Sequence, residues 1–331
     1  MMSKILKQFI YFFFFKLVFQ KKIFLNSNNL YYKHFGFGDF VVFCLYVRNN
    51  LNNNKKIVCY SQTQYDIARF FFNEDKIIKT RFLLPSFLSE AHIGSNILKT
   101  KDFFRPVSIP KKDHFNKELA LKPNPEILRF INQRLKVNIY SKYILEFIKK
   151  KYIIMHIKHF NNDKNSLHAS IRQTADLKKV FQILKFLDDK LKIVLFLNKK
   201  DRFYKIIKKD RKFNFKNIFY ITDFDEKNYF AAQVLLSQNS AGYIGSHSGA
   251  NILNFFNNKK SIIFDTFYLN DHAKYQSNLK FLYKKVKINN SIYTLNEKIF
   301  KNIKKQNSKY DLIETDLNEL ILSITKHFDL Y

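Results

Sequence analysis

Apolar runs of strand length alternate with helix-like segments through much of the second half of this chain. The runs are YIIMHIKH at residues 152–159, KIVLFLN at 192–198, NIFYITD at 217–223, AGYIGS at 241–246 and KSIIFD at 260–265. Helical patterns separate them, as in TADLKKVFQILKFLDDK at 174–190. Regular alternation of strand and helix is typical of parallel sheets covered by helices on both faces. The sequence therefore predicts an α/β fold with a Rossmann-like, doubly wound sheet.

A shorter alternation of the same kind lies near the N-terminus. It comprises a strand at 31–35, a helix beginning FVVF, a strand at 56–61 and a helix at 62–72, whereas four of the five prolines fall between 101 and 125. A chain of 331 residues exceeds the usual size of one hydrophobic core. We therefore predict two Rossmann-like domains facing a central cleft, where the carboxyl ends of the strands bind ligands. The predicted parts are a basic aromatic segment at 1–33, an N-terminal Rossmann-like domain with a proline-containing connector at 34–150, and a C-terminal Rossmann-like domain at 151–331.

The segment ILKQFIYFFFFKLVFQKKIFL, at residues 5–25, combines aromatic and basic side chains. Its longest unbroken apolar run extends only from Phe9 to Phe15, shorter than the roughly 20 residues of a membrane span. It also lacks the small residues of a signal-peptide cleavage site. Two interpretations stay open: a segment lying on an anionic bilayer surface, and a first helix or strand packed on the N-terminal domain.

The formal net charge of +31 predicts an anionic partner, either nucleic acid, a sugar nucleotide or an acidic membrane surface. The lysines are spread along the chain, which argues against a dedicated nucleic-acid arm, and AT-rich coding alone also enriches lysine. Cys44 and Cys59 are the only cysteines. They indicate neither a disulfide framework nor a thiolate metal site, and a reducing cytoplasm fits.

Glycine is scarce, and five of the six glycines fall in two short segments. Three of them lie in AGYIGSHSGAN, at residues 241–251, where a predicted strand ends and a helix begins. Free backbone N–H groups and the positive end of a helix dipole favour a phosphate there. The predicted phosphate contacts are Ser246, His247, Ser248, Gly249, Ala250 and Asn251. The alternative is a tight turn whose glycines only serve packing.

The other glycine segment, FGFGD, contains Gly36 and Gly38 as a candidate acceptor loop and ends in Asp39. It lacks the third glycine of a dinucleotide fingerprint, and its acid would repel phosphate. A carboxylate at the start of a helix is held ionised. Asp39 is therefore a candidate general base for an incoming hydroxyl, with a helix N-cap as the alternative role.

A third predicted loop, MHIKHFNNDKNSLHASIRQTAD at residues 155–176, follows a strand and precedes a helix. Lys158 and Arg172 supply cations for the diphosphate there, and arginine suits bidentate contact. Histidine is a common zinc donor, and the candidate metal ligands in this loop are His156, His159, His168 and Asp163. Successive strand residues face opposite ways, so His156 and His159 should not converge. We predict no metal site.

Together, FGFGD, HASIRQTAD and IGSHSGANILNFFNNKKSIIFD resemble the GT-B glycosyltransferases, in particular the heptosyltransferase-like enzymes of family 9 and bacterial fucosyltransferase-like enzymes. The resemblance extends over residues 34–265. It implies two Rossmann-like domains, of which 34–150 binds the acceptor and 151–331 the sugar-nucleotide donor. It also implies a donor diphosphate at the late turn, and Asp39 in the position of an acid proposed as catalytic base. Two features depart from heptosyltransferases: Ser246, His247 and Ser248 replace an acid and a threonine, and the expected lysine is out of register, with Lys178 and Lys179 nearest.

The resemblance implies a transferase that moves a sugar from a nucleotide-sugar donor to a cell-surface glycan or lipid-linked acceptor, such as lipopolysaccharide or capsule. No cofactor or metal is expected. The location implied is cytoplasmic, on the inner face of the cell membrane if the basic segment binds lipid. Two alternatives from other classes are a nucleic-acid-binding protein and a GT-B domain that binds a nucleotide without catalysis.

Overall fold

The structure, a computed structural model, forms two compact units, Met1–Val137 and Asn138–Tyr331. The residues that it describes are 29–31, 37–50, 55–79, 125–157, 177–197, 202–209, 215–224, 228–246, 248–266, 278–296, 298–299, 302–303 and 310–331. Within them, no helix is long and apolar enough to cross a membrane. The basic aromatic segment lies almost wholly outside the described residues.

The first unit is built on three parallel strands in the order β1-β2-β3. Its elements are β1 (Asn29–Tyr31), α1 (Phe37–Asn50), β2 (Lys56–Cys59), α2 (Gln62–Phe71), a 3-10 turn (Glu74–Lys76), β3 (Ile77–Lys79) and α3 (Pro125–Val137). The βαβ prediction is confirmed, although the first strand ends at Tyr31, where the prediction began it. α2 starts where predicted, because the Ser61 side chain accepts the Gln64 backbone N–H as an N-cap.

The second unit contains a six-stranded parallel sheet in the order β6-β5-β4-β7-β8-β9. Its strands are β4 (Tyr152–His156), β5 (Lys192–Leu195), β6 (Ile218–Tyr220), β7 (Gly242–Ser246), β8 (Lys260–Thr266) and β9 (Leu279–Tyr283). Counted from β4, this is the order 3-2-1-4-5-6 of a doubly wound Rossmann sheet. The predicted α/β class and parallel sheet are confirmed.

Helices cover both faces of this sheet. They are α4 (Lys142–Phe147), α5 (Leu177–Asp188), α6 (Arg202–Lys209), α7 (Tyr229–Asn239), α8 (Ile252–Phe256) and α9 (Leu317–Phe328). Ile153 and Met155 share a core cluster with α5 and α9. Tyr152 donates its hydroxyl to the Leu236 carbonyl in α7. Because neighbouring strand residues point to opposite faces, α7 covers the face opposite α5 and α9.

The C-terminal helix α9 packs on the sheet of the second unit. Leu320, Ile324 and Phe328 recur at helical spacing and belong to its core. The Asp316 carboxylate caps the helix start by accepting the backbone N–H groups of Asn318 and Glu319. α9 thereby supplies one face of the sheet with apolar cover.

The sequence also missed a small antiparallel sheet, ordered β11-β10-β12. Its strands are β10 (Lys285–Ile288), β11 (Ser291–Thr294) and β12 (Asp311–Ile313), around a core of Val286, Leu295 and Ile303. Another difference concerns the division of the chain. Helix α4 belongs to the second unit, because Phe147 contacts the rings of Tyr152, Phe219 and Phe224. The division thus falls before α4 and not at residue 150.

Candidate functional site

The point where strand order reverses, between β4 and β7, is the ligand-binding position of a doubly wound sheet. Here β4 and β7 pair in parallel, with His156 opposite Gly245, and β7 pairs with β8, with Ser246 opposite Phe264. The candidate site therefore begins where His156 and Ser246 end their strands. The 246–251 segment predicted from sequence leaves the sheet at this point.

Position 245 must be glycine because β4 lies too close for any side chain. A methyl group at this position would collide with the His156 carbonyl oxygen and lie 2.7 Å from the Tyr243 hydroxyl. None of the described glycines has a positive φ. At Gly245, and at Gly242 against Lys260 and Phe328, side-chain space and not backbone conformation therefore demands glycine. The role of the 246–251 turn stays a prediction.

The Tyr243 hydroxyl lies beneath the candidate site and joins the ends of both strands. Its oxygen is 3.4 Å from the His156 carbonyl oxygen, 3.3 Å from the Ser246 carbonyl oxygen and 3.5 Å from the Ser248 hydroxyl. Burial raises the pKa of Tyr243 far above its usual range, with the Ser248 contact as a smaller opposing influence. The phenol stays protonated and available as a donor. Sequence reasoning missed Tyr243, because an aromatic residue in an apolar strand resembles ordinary core.

In the 246–251 turn, the exposed atoms belong mainly to the backbone, because most of the described side chains are buried. Ser248 is extended, and a 3-10 turn at Gly249–Asn251 leads into α8. The side chains of Ser246, Ser248 and Asn251 are buried, whereas Gly249 is exposed and Ala250 half-buried. The expected hydroxyl donors therefore face the fold, and the exposed part of the turn is the main chain around Gly249. His247 lies outside the described residues.

Asn251 is buried at this turn with an unsatisfied donor. Its Nδ2 atom has no hydrogen-bond partner among the residues that the structure describes. An amide without an acceptor in a buried position is costly, so native proteins usually provide one. The chemistry available at the turn is thus donation to an anion or carbonyl.

Lys179 is one of the two lysines nearest to the position where the resemblance to heptosyltransferases predicts a phosphate-binding lysine. Lys179 lies in the first turn of α5, where its Nζ is 2.7 Å from Asp265 Oδ2 and 2.8 Å from Glu314 Oε2. A buried lysine held by two carboxylates is not available to a phosphate. Sequence reasoning missed this cluster because its acids are distant in sequence, although an acid closing the apolar run KSIIFD was a detectable sign.

Several other predicted site residues lie outside the residues that the structure describes. They are Gly36, Lys158, Arg172, His159, His168 and Asp163. Among described residues, no group of three His, Cys, Asp or Glu side chains could hold a metal ion. His156 ends β4 in the sheet, beside Gly245.

Gly38 and Asp39 belong to the first unit. α1 begins at Phe37, so Gly38 and Asp39 are its second and third residues. The N-cap alternative for Asp39 is wrong, since a cap precedes the first helical residue. A carboxylate within the first turn is favoured by the helix dipole. The convergence of Asp39 and the 246–251 turn on one cleft stays a prediction.

Comparison with known proteins gives fold-level similarity alone. No model of a protein family matches the chain, and no curated protein matches it in sequence. Among solved structures, it is similar to E. coli ADP-heptose LPS heptosyltransferase II, with 10% identity, a TM-score of 0.47, and coverage of 91% of this chain and 98% of that one. E. coli heptosyltransferase WaaC with ADP gives 11% identity and a TM-score of 0.38, covering 84% of this chain and 97% of that one.

A third similar structure is the dodecameric iron-containing heptosyltransferase TibC in complex with ADP-D-β-D-heptose. It has 12% identity and a TM-score of 0.37, with 76% of this chain and 62% of that one covered. The chain is similar in fold to these heptosyltransferases. Likeness of this degree concerns the arrangement of strands and helices, and the activity must be argued from the residues of this chain.

Proposed function

We propose that this protein is a GT-B glycosyltransferase that moves a sugar from a nucleotide-sugar donor to a glycan or lipid-linked acceptor. One observation carries the proposal. The second unit has the strand order of a nucleotide-binding Rossmann sheet, and a glycine- and serine-containing turn leaves that sheet at the reversal between β4 and β7. Nucleotides bind at such reversal points in doubly wound sheets.

The donor's diphosphate would lie against the exposed main chain at Gly249 and Ala250. Backbone N–H groups at a turn form anion-binding concavities. The buried Nδ2 of Asn251 is a further donor at the same turn. Lys158 and Arg172, in the connection that follows β4, would add positive charge, and arginine can hold two phosphate oxygens at once.

Catalysis would use fixed charge in place of a metal. As the glycosidic bond breaks, negative charge grows on the leaving diphosphate, and donors that strengthen their contacts there lower the barrier. Asp39 would accept the proton of the attacking acceptor hydroxyl. The acid and the diphosphate site belong to different units.

The basic aromatic segment and the net charge of +31 fit an acceptor at an anionic membrane surface. Each near-surface lysine or arginine contributes about 1 kcal/mol to such binding. The protein would then work as a peripheral protein of the cytoplasmic membrane face. Release from isolated membranes by high salt would support this location, and retention after salt would contradict a purely electrostatic attachment.

A thermal-shift screen tests donor binding. Purified protein is heated with ADP, UDP, GDP and their sugar derivatives in the presence of EDTA, together with Gly249→Val and a matched control, Ser291→Val on the exposed strand β11. We expect a selective rise in Tm for wild type and for Ser291→Val that is lost in Gly249→Val. Equal shifts in all three proteins, or none, would contradict a nucleotide site at the turn.

The base is tested separately. Asp39→Asn should lower the rate of nucleoside diphosphate release from the donor about 10²- to 10⁴-fold while leaving the nucleotide-induced Tm shift intact. Asp75→Asn, on an exposed 3-10 turn of the same unit, removes the same charge and should be active. Turnover by Asp39→Asn at the wild-type rate would show that another group is the base.

A further inference from the structure

Five polar side chains lie where α7 packs against α8, and together they are called the amide seam below. α7 contributes Gln233 and Ser237, and the segment that leads into and out of α8 contributes Asn251, Asn254 and Asn257. Four of them are buried, with exposures of 8% for Gln233, 0% for Ser237, 3% for Asn251 and 0% for Asn254. Polar groups in such positions need hydrogen-bond partners.

One end of the amide seam is closed by hydrogen bonds between its own members. The Asn257 side-chain amide donates to the Ser237 hydroxyl oxygen at 3.3 Å, and this hydroxyl donates to Asn254 Oδ1 at 3.1 Å. The Ser237 hydroxyl thus accepts one bond and gives its only hydrogen to the other. Asn254 therefore presents its oxygen to Ser237, and its Nδ2 atom is left to find another acceptor.

The other end of the amide seam contains three buried atoms with unused hydrogen-bonding capacity. Nδ2 of Asn251, Nδ2 of Asn254 and Oε1 of Gln233 have no hydrogen-bond partner among the residues that the structure describes. The two nitrogens are donors and the oxygen is an acceptor. Leaving such groups unpaired in a buried position is costly, so a native protein usually supplies a partner.

The path of the chain brings these three atoms to the same part of the seam. α7 and α8 run in the same direction, because each connects the carboxyl end of one strand to the amino end of another in a parallel sheet. Gln233 precedes Ser237 by one helical turn, and Asn251 precedes Asn254 by about one turn. Because Ser237 contacts Asn254, the donor Asn251 and the acceptor Gln233 lie at one level. They make no direct hydrogen bond, so a third group must join them.

We propose that the amide seam binds one ordered water molecule at this level. The water oxygen accepts N–H groups from Asn251 and Asn254, and one water hydrogen is donated to Gln233 Oε1. About three hydrogen bonds are usual for a buried water, and the three atoms supply that number with the correct polarity. An anion would be repelled by the Gln233 oxygen and a cation by the two N–H groups. A neutral group that both donates and accepts satisfies all three atoms.

The water makes Gln233 a positioning residue for the 246–251 turn. Asn251 ends that turn and lies directly before α8, so a water bridge from its amide to Gln233 fixes the end of the turn against α7. The Asn251 nitrogen carries two N–H bonds, and the water takes one, which leaves the other for the diphosphate. This positioning role rests on the proposed function, whereas the water site itself does not.

A crystal structure of the full chain, at a resolution that shows ordered waters, tests the site directly. We expect one water within hydrogen-bond distance of Gln233 Oε1 and of the Nδ2 atoms of Asn251 and Asn254. Gln233→Met keeps the length of the side chain without its acceptor and should displace this water. A direct hydrogen bond between Gln233 and Asn251, or the absence of a shared water at this level, would overturn the inference.

A double-mutant cycle tests the bridge in solution. Gln233→Met and Asn251→Leu each deprive the water of one partner and should each lower the Tm by about 2–8 °C. The double variant should lower the Tm by clearly less than the sum, because the second change removes a bond that the first has already weakened. The control cycle combines Gln233→Met with Asn217→Leu, whose amide bonds the Asp188 carbonyl elsewhere in the unit. Additive changes in the test cycle, as in the control, would contradict a shared water.

Nucleotide affinity tests the positioning role. Dissociation constants of ADP, UDP and GDP are measured for wild type, Gln233→Met and Ile207→Ala, a control that lowers stability through a core residue of α6. Gln233→Met should bind the preferred nucleotide about five-fold or more weakly, and Ile207→Ala within about two-fold of wild type. Equal weakening in both variants, or wild-type affinity in Gln233→Met, would overturn the positioning role.

Failure of the proposed function gives a different result. If wild type binds none of the three nucleotides, the donor site and the positioning role are both wrong. The water site is then judged by the crystal structure and the double-mutant cycle, neither of which requires a nucleotide.

Discussion

The hydroxyl oxygen of Tyr243 lies 3.4 Å from the carbonyl oxygen of His156, across the gap between β7 and β4. These two strands are neighbours where the strand order reverses, so the contact connects the carboxyl ends of β4 and β7, at which the candidate site begins. The same hydroxyl reaches the Ser246 carbonyl and the Ser248 side chain. One core tyrosine therefore contacts both strand ends and the first residues of the 246–251 turn.

Tyr243→Phe keeps the ring and removes this hydroxyl. We expect the free energy of unfolding to fall by about 1 kcal/mol, because buried carbonyls lose a donor. For a unit of this size the Tm should fall by about 2–4 °C, measured by thermal denaturation. Nucleotide affinity should fall as well, since Ser248 loses its contact. Wild-type affinity together with a lowered Tm would limit Tyr243 to a stabilising role.

Gly245→Ala and Gly242→Ala place the same methyl group at opposite ends of β7. Both should lower the Tm strongly, because each methyl meets backbone of a neighbouring strand, His156 in one case and Lys260 in the other. Only Gly245 lies at the candidate site. If both proteins fold, Gly245→Ala should lose nucleotide binding and Gly242→Ala should keep it, as measured by titration.

Loss of nucleotide binding in both alanine variants, at matched fractions of folded protein, would contradict the placement of the site. The fraction folded is followed by circular dichroism at the temperature of the titration. A difference confined to Gly245→Ala locates the sensitivity at the carboxyl end of β7.

The two cysteines should be unreactive in the native protein. Burial raises the pKa of Cys59 to about 12, with a further contribution from Asp66, and burial also raises the pKa of Cys44. The thiolate is the reactive form, and a rise from 9.0 to about 12 lowers its fraction at pH 8 by about 10³-fold. Ellman's reagent should label neither thiol until denaturant is added. Rapid labelling at pH 8 would show that the first unit opens.

His327 should make the second unit acid-sensitive. Burial lowers its pKa below 6.5, helped by Lys260 and Lys280 and opposed by the Asn278 carbonyl. The unfolded chain therefore binds the proton more tightly than the folded one. The stabilising contribution is complete above about pH 6.5 and is lost as the pH falls further.

His327→Gln removes this titration while keeping a donor for the Asn278 carbonyl, 3.2 Å away in the native protein. Tm values are compared at pH 7.5 and pH 5.0 in both proteins. The fall should be smaller in His327→Gln than in wild type. Equal falls would assign the acid sensitivity to other groups.

Much of the fold followed from local pattern, because buried parallel strands are apolar throughout. The core strands β4, β5 and β7 lie within the runs predicted for them, and β8 extends one residue beyond its predicted run, to Thr266. Prediction of strand ends was less accurate, as at residues 221–223, where the chain leaves the strand at Tyr220 and forms a 3-10 turn at Ile221–Phe224. The small sheet β10–β12 was missed because its exposed outer strand has no buried face to produce an alternating pattern.

The sequence by itself determined the α/β class, the alternation of strands and helices from β4 to β8, and the position of the late turn at the end of a strand. These depend on hydrophobic periodicity and glycine placement over a few neighbouring residues. Only the tertiary structure decided that Gly245 serves a close strand approach, that Tyr243 joins two strand ends, and that Lys179 pairs with Asp265 and Glu314. The physical reason is that each of these contacts joins parts of the chain brought together by the pairing and packing of the whole sheet.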